Sequence, residues 1–303
     1  MSILVVGSVA LDNIETPFGK KENAVGGSAV YISLAANYFT KPVRVVGVVG
    51  DDFPSEYIDM LDEKMIDLEG LQVIEGGKTF RWGGRYHYDL NVRDTLFTEL
   101  GVFENFDPVI PDSYQRSMYV CLGNIDPVLQ KKVLLQIEKP RLVICDTMNY
   151  WIEGKPDDVA EILKLVDGLL INDSEARMLA SNPNLIIAAN AILEMGPRFV
   201  IIKKGEHGAL LATKETIFFA PAYPLENIQD PTGAGDTFAG GFIGWLARTD
   251  DVSDENLKRA VIYASTLASF CVEEFGIDGI RDLSYLSIQD RFREFKNLSH
   301  VAS

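Results

Sequence analysis

Short apolar runs alternate with longer stretches of helical period along most of the chain. The runs are bounded by Gly, Pro, Asp or Asn and lie at residues 3–6, 43–49, 118–122, 142–145, 168–171 and 199–202. Runs of this length predict strands that are buried on both faces of a parallel sheet. Apolar positions with helical spacing predict helices at residues 29–39, 54–65, 128–137, 157–166, 174–179 and 185–195. Strand alternating with helix predicts a doubly wound α/β fold.

One segment departs from this alternation. Residues 76–101 are polar and aromatic and alternate with the period of a strand, as in KTFRWGGRYHYDLN at 78–91. With the stretch around 12–18, they predict a small antiparallel ribbon that projects from the main sheet as a lid; an ordinary edge hairpin is the alternative. Because no repeat or Pro-rich linker divides the sequence, we expect one domain, 1–303, whose lid comprises about 12–25 and 76–102.

Composition restricts the class of protein. Hydrophobic residues make up 47% of the 303 residues, which is enough for a folded core. The 44 acidic and 28 basic residues give a net charge of −16, which repels nucleic acid and anionic membranes, so we expect neither as a partner. Three distant cysteines, with no apolar run long enough for a signal peptide or membrane helix, favour a cytoplasmic protein with buried, unpaired thiols.

The densest chemical signal is the string DPTGAGDTFAGGF at residues 230–242. Gly233, Ala234 and Gly235 have almost no side chains, so their backbone N–H groups can converge on an anion at a helix start. Asp236 follows directly, and the helix dipole is expected to keep its carboxylate ionised and able to accept a proton. An anion site beside a fixed base indicates phosphoryl transfer to a hydroxyl. The alternative is that Asp236 only caps the helix and the glycines only permit close packing.

Further polar residues and glycines follow predicted strands, where an open α/β sheet places its ligands. Asn172 and Glu175 come after one apolar run and, taken alone, are more typical of a helix cap and its capping-box partner. Asp12 ends the first strand region, and Gly26 and Gly27 precede the first helix. On their own, these three are as typical of turns as of a ligand site.

The string at 230–242 resembles the C-terminal signature of the ribokinase-like, or pfkB, family of sugar and nucleoside kinases. Further motifs follow in the family's order: GG at 26–27, VVGVVGDDF at 45–53, NDSE at 172–175 and KKGEHG at 203–208. Together they cover nearly the whole chain. The resemblance implies an ATP-dependent kinase with a three-layer α/β/α fold, in which helices flank a mostly parallel central sheet that carries a small β lid.

The resemblance also implies roles on the nucleotide side. Asp236 is the general base, and the amides of the glycine string stabilise the transferring phosphoryl group. Asn172 and Glu175 orient Mg²⁺ and its waters around the ATP phosphates, Glu175 acting through water. The nucleotide lies in a groove between the helix at 260–270 and the segment after the last predicted strand. In that segment the expected nucleotide contacts are Lys203, Gly205 and Gly208.

On the acceptor side of the site, the resemblance implies that Asp12 binds two hydroxyls of the acceptor while Gly26 and Gly27 let the backbone approach it. Some family members also bind a monovalent cation such as K⁺. Here Asp230, the Thr232 carbonyl and the loop 272–276 are the expected oxygen donors.

One position departs from the family's pattern. Members commonly carry Asn a few residues after the glycine pair, whereas this chain has Tyr31, which can stack on or hydrogen-bond a ligand. The lid adds a cluster of aromatic and basic side chains: Phe80, Arg81, Trp82, Arg85, Tyr86 and Tyr88. This cluster, with Phe80 and Trp82 as the expected substrate contacts, either covers the acceptor or forms a homodimer contact. Arg85 or Arg93 either binds a phosphate on the substrate or is solvated.

The expected acceptor is a small sugar. A nucleoside is the alternative, because aromatic lid residues suit a base, and a non-catalytic sensor on the same fold is a third hypothesis. The presence of Asp236 beside an intact glycine string favours catalysis, since a pure binder needs no base there. The segment GGKT at 76–79 is not a Walker A loop, because Gln72 stands where the first glycine is required.

Overall fold

A computed structural model describes residues 1–298, apart from the side chain of Lys296. The strands are Ile3–Val6 (β1), Ala10–Thr16 (β2), Gly19–Gly26 (β3), Val43–Gly50 (β4), Ile66–Ile74 (β5), Phe80–Tyr86 (β6), Arg93–Glu99 (β7), Tyr119–Leu122 (β8), Leu142–Asp146 (β9), Gly168–Asn172 (β10), Phe199–Lys203 (β11), Ala209–Thr213 (β12) and Ile217–Ala220 (β13). The helices are Ser28–Asn37 (α1), Ser55–Glu63 (α2), Pro127–Leu134 (α3), Asn149–Gly154 (α4), Pro156–Leu163 (α5), Asp173–Leu179 (α6), Leu185–Glu194 (α7), Ala234–Thr249 (α8), Asp254–Cys271 (α9), Asp278–Arg281 (α10) and Tyr285–Leu298 (α11).

The main sheet has nine strands in the order β13-β12-β11-β10-β9-β8-β1-β4-β5. Neighbours from β11 to β5 are parallel, and β12 and β13 extend one edge as an antiparallel hairpin. Each apolar run identified in the sequence lies in this sheet, and each predicted helix overlaps a helix of the structure. The predicted mostly parallel α/β fold is confirmed.

Helices cover both faces of the sheet. Along β1, Ile3 and Val5 belong to one core and Leu4 and Val6 to the other, and all four are fully buried. Side chains of α1, α8 and α9 fill the first core, and side chains of α3, α5 and α7 fill the second. The two cores give the three-layer arrangement.

The lid is a second sheet of four strands in the order β3-β2-β6-β7. Strands β2 and β6 are parallel, and β3 and β7 pair antiparallel on either side. The lid is therefore mixed, and the predicted antiparallel ribbon is wrong in this respect. The reason lies in the main sheet, where β1 and β5 both run parallel to β4. Each is followed by a lid strand, so β2 and β6 leave the sheet in the same direction.

The thiols of Cys121, Cys145 and Cys271 are buried and unpaired, as predicted. Burial raises the pKa of Cys271 to about 12, which keeps this thiol protonated at neutral pH.

Among residues 1–298, no helix has both the length and the apolar character needed to cross a membrane.

Helix α8, which begins at the glycine string, packs closely on α1. A Cβ atom at Gly240 would overlap the carbonyl oxygen of Ile32, and one at Gly244 would lie 2.8 Å from the Cα atom of Ala36. Real Cβ atoms do not approach that closely, so the contact between the two helices requires glycine at these positions. The contact also fixes where α8 begins, and therefore where the glycine string lies.

This packing predicts that Gly240→Ala destabilises the protein. The added methyl group has no room beside the Ile32 carbonyl, so we expect the free energy of unfolding to fall by roughly 1–3 kcal/mol. Gly154→Ala at the end of α4 is the matched control, because nothing lies within 4 Å of its Cβ position. Urea denaturation measures both variants, and equal stability of the two would contradict the prediction.

Candidate active site

The carboxyl ends of three adjacent parallel strands carry polar residues of the site. Strand β9 ends at Asp146, β10 at Asn172 and β11 at Lys203. The register pairs Asn172 with Lys203, and Asp146 with Leu170 on the middle strand. The three residues therefore lie along one edge of the sheet, the edge at which open α/β sheets bind their ligands.

An ion pair joins two of these strand ends. The Nζ atom of Lys203 lies 3.0 Å from Oδ2 of Asp146, and both side chains are largely buried. Burial lowers the pKa of Lys203, but the carboxylates of Asp146 and Glu175 outweigh burial and raise it, so the lysine stays charged. The same Nζ atom lies 3.1 Å from the Cβ position of Gly235. Sequence reasoning missed Asp146, although a carboxylate directly after the buried run at 142–145 was a usable signal.

The glycine string forms the turn at which α8 begins. Gly233 is the N-cap residue and adopts the left-handed conformation, with φ at 76°. A Cβ atom there would overlap the ring of Tyr31, so both conformation and packing require glycine. Within the described chain no side chain caps this helix, and the amide of Ala234 makes only a 3.3 Å bond to the Pro231 carbonyl. Among the described residues the amides of Gly235 and Asp236 have no such partner, so these two are left for an anion.

Asp236 is the third residue of α8 and does not cap it, so the alternative role as an N-cap is wrong. Burial raises the pKa of Asp236 to about 7; the charge of Asp146 adds to this effect, and Lys203 and Arg93 oppose it. The shift is opposite to that expected from the helix dipole alone. Burial destabilises the charged carboxylate by more than the helix start and the two cations stabilise it. A carboxylate with a pKa near 7 is well matched to accept a proton at neutral pH.

Asn172 and Glu175 form the capping box of α6. Oδ1 of Asn172 accepts the N–H of Glu175 at 2.8 Å, and Oε2 of Glu175 accepts the N–H of Asn172 at 2.8 Å. The helix cap with its capping-box partner, which the sequence offered as the alternative role of these two residues, is therefore present. Burial and the charge of Asp146 also raise the pKa of Glu175 to about 7, against the effect of Lys203. The cap consequently fixes a second carboxylate beside the ion pair.

The turn after β11 lies under the tip of the lid. Gly205 opens a 3₁₀ turn that ends at His207, and Gly208 precedes β12. The side-chain amide of Asn91 in the lid donates a 2.7 Å hydrogen bond to Oε2 of Glu206. The predicted nucleotide segment is therefore in contact with the lid, while binding of a nucleotide by Gly205 and Gly208 stays a prediction.

Asp12 lies on lid strand β2 and is only 5% exposed. Its carboxylate packs against Gly26 on β3, where a Cβ atom would overlap it, so this glycine makes room for Asp12. Burial raises the pKa of Asp12 to about 8, and the charges of Asp230 and Asp236 add to the shift. The structure thus brings Asp12 and Asp236 close enough to interact electrostatically.

Tyr31 lies beneath the glycine string. Gly27 is the N-cap of α1, and this helix carries Tyr31, which is 1% exposed, with its ring against Gly233. Its hydroxyl has no hydrogen-bond partner among the described residues, and burial raises its pKa well above the usual value. The ring therefore supports the string from below. Contact of Tyr31 with a ligand stays a prediction.

Two of the predicted substrate contacts in the lid have an occupied ring face. Phe80 stacks on Phe103 with ring centroids 5.3 Å apart. The guanidinium of Arg93 lies over the ring of Trp82, 5.3 Å from the centroid. Both rings are consequently used for packing inside the protein, which limits the aromatic surface open to a substrate.

The lid has an inner face toward the site and an outer face toward solvent. Tyr86 is buried, and its hydroxyl lies 3.2 Å from Oγ1 of Thr232, beside the glycine string. Arg85 belongs to the outer face, where its Nε donates to Glu15 at 3.0 Å, and Tyr88 is 88% exposed. A homodimer contact through this lid stays a prediction.

Asp230 ties the glycine string to a neighbouring loop. It is fully buried, and its carboxylate accepts the backbone N–H groups of Thr232 at 2.8 Å and Gly276 at 2.9 Å. The Thr232 carbonyl lies 3.6 Å from Sγ of Cys271. In the described part of the chain, no group of three or more His, Cys, Asp or Glu side chains is placed to hold a metal ion. Binding of a monovalent cation by Asp230 and Thr232 stays a prediction.

These features together define the class of protein. An uncapped helix start supplies an anion site, Asp236 beside it supplies a group that exchanges protons near neutral pH, and Lys203 supplies a buried positive charge. All three lie at the ligand-binding edge of a parallel sheet under a lid. Such a site is that of a phosphotransferase.

Comparison with known proteins gives the family. The model of the pfkB family of carbohydrate kinases matches residues 2–280, so the chain belongs to this family and is an ATP-dependent kinase. A cytidine kinase of Thermococcus kodakarensis is 30% identical over 253 residues, which are 82% of this chain and 89% of that protein.

Solved structures confirm the ribokinase-like fold. The nucleoside kinase of Methanocaldococcus jannaschii, an archaeal member of the ribokinase family, has a TM-score of 0.79 at 21% identity, covering 97% of this chain and 98% of its own. A ribokinase of Cryptococcus neoformans in complex with ADP has a TM-score of 0.77 at 20% identity, covering 95% of this chain and 99% of its own.

The buried carboxyl of Asp12 makes the stability of the protein depend on pH. Folding raises its pKa from 3.8 to about 8, so between these values the folded state holds a proton that the unfolded chain releases. The free energy of unfolding therefore falls as the pH rises through this range. Because Asn is neutral at every pH, we expect Asp12→Asn to match the wild type near pH 4 and to exceed its stability at pH 8 by up to about 5 kcal/mol.

Urea denaturation at the two pH values measures this difference. Asp59→Asn on α2 is the control, because Asp59 is exposed and its substitution should change little at either pH. A difference between Asp12→Asn and the wild type that is the same at both pH values would contradict the prediction.

Proposed function

We propose that the protein transfers the γ-phosphate of ATP to a hydroxyl of a small sugar, with Asp236 as the general base. The observation that supports this most strongly is the place of Asp236: a carboxylate with a pKa of about 7 in the first turn of a helix whose uncapped start suits an anion. A base and an anion site at one helix start serve the acceptor hydroxyl and the phosphoryl group together.

In this proposal ATP lies along α9 and the turn after β11, with its γ-phosphate at the start of α8. The acceptor lies between Asp12, the glycine pair at 26–27 and the lid. The acceptor oxygen attacks the γ-phosphorus, the bond to the β,γ-bridging oxygen breaks, and the hydroxyl proton moves to Asp236. The amides of Gly233 to Gly235 and the charge of Lys203 stabilise the negative charge during transfer.

The carboxylate of Glu175 suits Mg²⁺ that accompanies ATP. Its Oε2 is held by the Asn172 N–H, and it lies beside the Lys203 ion pair. Among residues 1–298 no group of three or more His, Cys, Asp or Glu side chains forms a metal-binding cage there. Mg²⁺ retains several waters and takes few protein ligands, so Glu175 is proposed to act through water. When bound, Mg²⁺ would offset charge on the phosphates. K⁺ near Asp230 and Thr232 is a further proposal from the family resemblance.

The packing of two aromatic rings in the lid supports a sugar as the acceptor. A nucleoside base needs an open ring face, whereas Phe80 stacks on Phe103 and Trp82 lies under Arg93. The buried carboxylate of Asp12 suits the hydroxyls of any polyol. A nucleoside is the second candidate, because relatives of this chain are a cytidine kinase and a nucleoside kinase.

Asp236→Asn tests the proposed base. The amide keeps the shape of the side chain but cannot take the proton, so we expect kcat to fall by a factor on the order of 10² to 10⁴ with the fold intact. Steady-state ADP release measures turnover, circular dichroism and urea denaturation report the fold, and Asp59→Asn is the control. Turnover of Asp236→Asn near that of the wild type would rule out the assignment.

A panel of acceptors tests the substrate class. We expect ATP consumption with one or more pentoses or hexoses to give a higher kcat/KM than with cytidine, adenosine or inosine, because one ring face of each predicted lid contact, Phe80 and Trp82, is already covered. Formation of ADP and phosphorylated product is measured for each compound, with Asp236→Asn as the blank. Faster turnover of a nucleoside would establish the second candidate, and a thermal shift with ligands but no ADP release would indicate a sensor.

A further inference from the structure

The loop 272–276 after α9 reaches into the lid through one aromatic side chain. Phe275 is partly buried and packs against the small apolar core of the lid. The buried members of that core are Ile14, Ala24 and Tyr86. The ring also lies close to the hairpin of β2 and β3, because a Cβ atom at Gly19 would be 3.1 Å from it. A side chain of the main domain therefore forms part of the core of the lid.

Two polar contacts join the same hairpin to the main domain. The Nζ atom of Lys21 on β3 donates to the Phe275 carbonyl at 3.3 Å and forms an ion pair with Asp278, the first residue of α10. The hydroxyl of Thr16, the last residue of β2, donates a 2.9 Å hydrogen bond to the Gln229 carbonyl, just before the glycine string. Both strands of the hairpin are thus fixed near Phe275.

The loop that carries Phe275 also holds the segment before the glycine string. Gly276 donates its N–H to one carboxylate oxygen of Asp230 at 2.9 Å, and the other oxygen accepts the N–H of Thr232 at 2.8 Å. The carbonyl of Val272 accepts the N–H of Gln229 at 2.8 Å. A displacement of this loop therefore displaces the residues that lead into the start of α8.

We propose that Phe275 is a positioning residue that couples the lid to the anion site at the start of α8. This inference rests on the proposed function. The ring fixes the loop to the core of the lid, and the loop fixes the glycine string through Asp230. A lid that moves away from the acceptor consequently moves the amides that hold the phosphoryl group, and a small misplacement of those amides slows transfer strongly.

The distribution of lid contacts favours coupling over simple packing. The core of the lid has only three buried side chains, so the lid depends on contacts with the main domain to keep its place. Two of those contacts end at the segment before α8: the bond from Thr16 to Gln229, and the 3.2 Å contact between the hydroxyls of Tyr86 and Thr232. Phe275 adds the apolar part of the same attachment.

Hydrogen exchange in the protein without ligands tests the coupling. In Phe275→Ala we expect peptides of β2 and β3 to exchange about tenfold faster or more, together with the peptides that contain Thr232 and Gly276, while β9 and β10 stay unchanged. Phe275→Leu keeps an apolar side chain in the lid and should stay within about threefold of the wild type. Phe219→Ala is the matched control, because that ring is 60% exposed on β13, at the edge of the main sheet opposite β5.

The exchange pattern also gives the results that would overturn the inference. Faster exchange in the lid alone would show that the lid moves independently of the glycine string. Equally faster exchange in β9 and β10 would show a general loss of stability. No change in Phe275→Ala, or the same change in Phe219→Ala, would show that the ring holds neither element.

Kinetics with an acceptor separate this role from a loss of folded enzyme, which lowers kcat alone. We expect Phe275→Ala to lower kcat about tenfold or more and to raise the acceptor KM about fivefold or more, with the KM for ATP within about threefold. Phe275→Leu should recover most of both losses. A lower kcat with an unchanged acceptor KM, or equal losses in Phe219→Ala, would overturn the inference. If the wild type turns over no acceptor, the proposed function fails, and the exchange experiment still decides the role of Phe275.

Discussion

Lys203 holds its ammonium group 3.0 Å from Asp146 and within electrostatic reach of Glu175 and Asp236. A carboxylate buried without a partner costs several kcal/mol, and the usual response is protonation. Here burial raises the pKa of Glu175 and Asp236 to about 7, and the lysine prevents a larger rise. The balance between burial and the charges of Lys203 and Arg93 leaves Asp236 able to exchange a proton at neutral pH, and the proposed chemistry depends on that property.

The main sheet and the lid sheet both contribute charged side chains to the surroundings of Asp236. Parallel strands bring Asp146 and Lys203 to one edge, and α8 brings Asp236 to the same edge because its close packing on α1 fixes where the helix begins. The lid adds Asp12 and Tyr86 from the other side. Its central strands leave the main sheet in the same direction, so lid and sheet meet over the glycine string. The site is consequently assembled from elements that are distant in sequence.

Features that depend on local sequence were predictable. The buried strands were identified because they are apolar on both faces. The turn at Gly233 was identified because a string of small residues lets backbone N–H groups converge at a helix start. Other features depend on tertiary contacts. Strand β5 is only partly buried and has no apolar run, so the direction of the lid strands was not predictable. The pKa of Asp236 was expected in the wrong direction because the burial of this carboxyl comes from the whole cleft.

The central claim is that burial, moderated by Lys203, sets the proton affinity of Asp236. A titration of the ¹³C-labelled aspartate carboxyl carbons by NMR tests this directly in the protein without ligands, with the Asp236 signal assigned by its loss in Asp236→Asn. We expect a midpoint near pH 7 for this signal, and a higher midpoint in Lys203→Met, which lacks the opposing charge. A midpoint near the ordinary aspartate value of about 4 would show a solvated carboxylate and contradict the account.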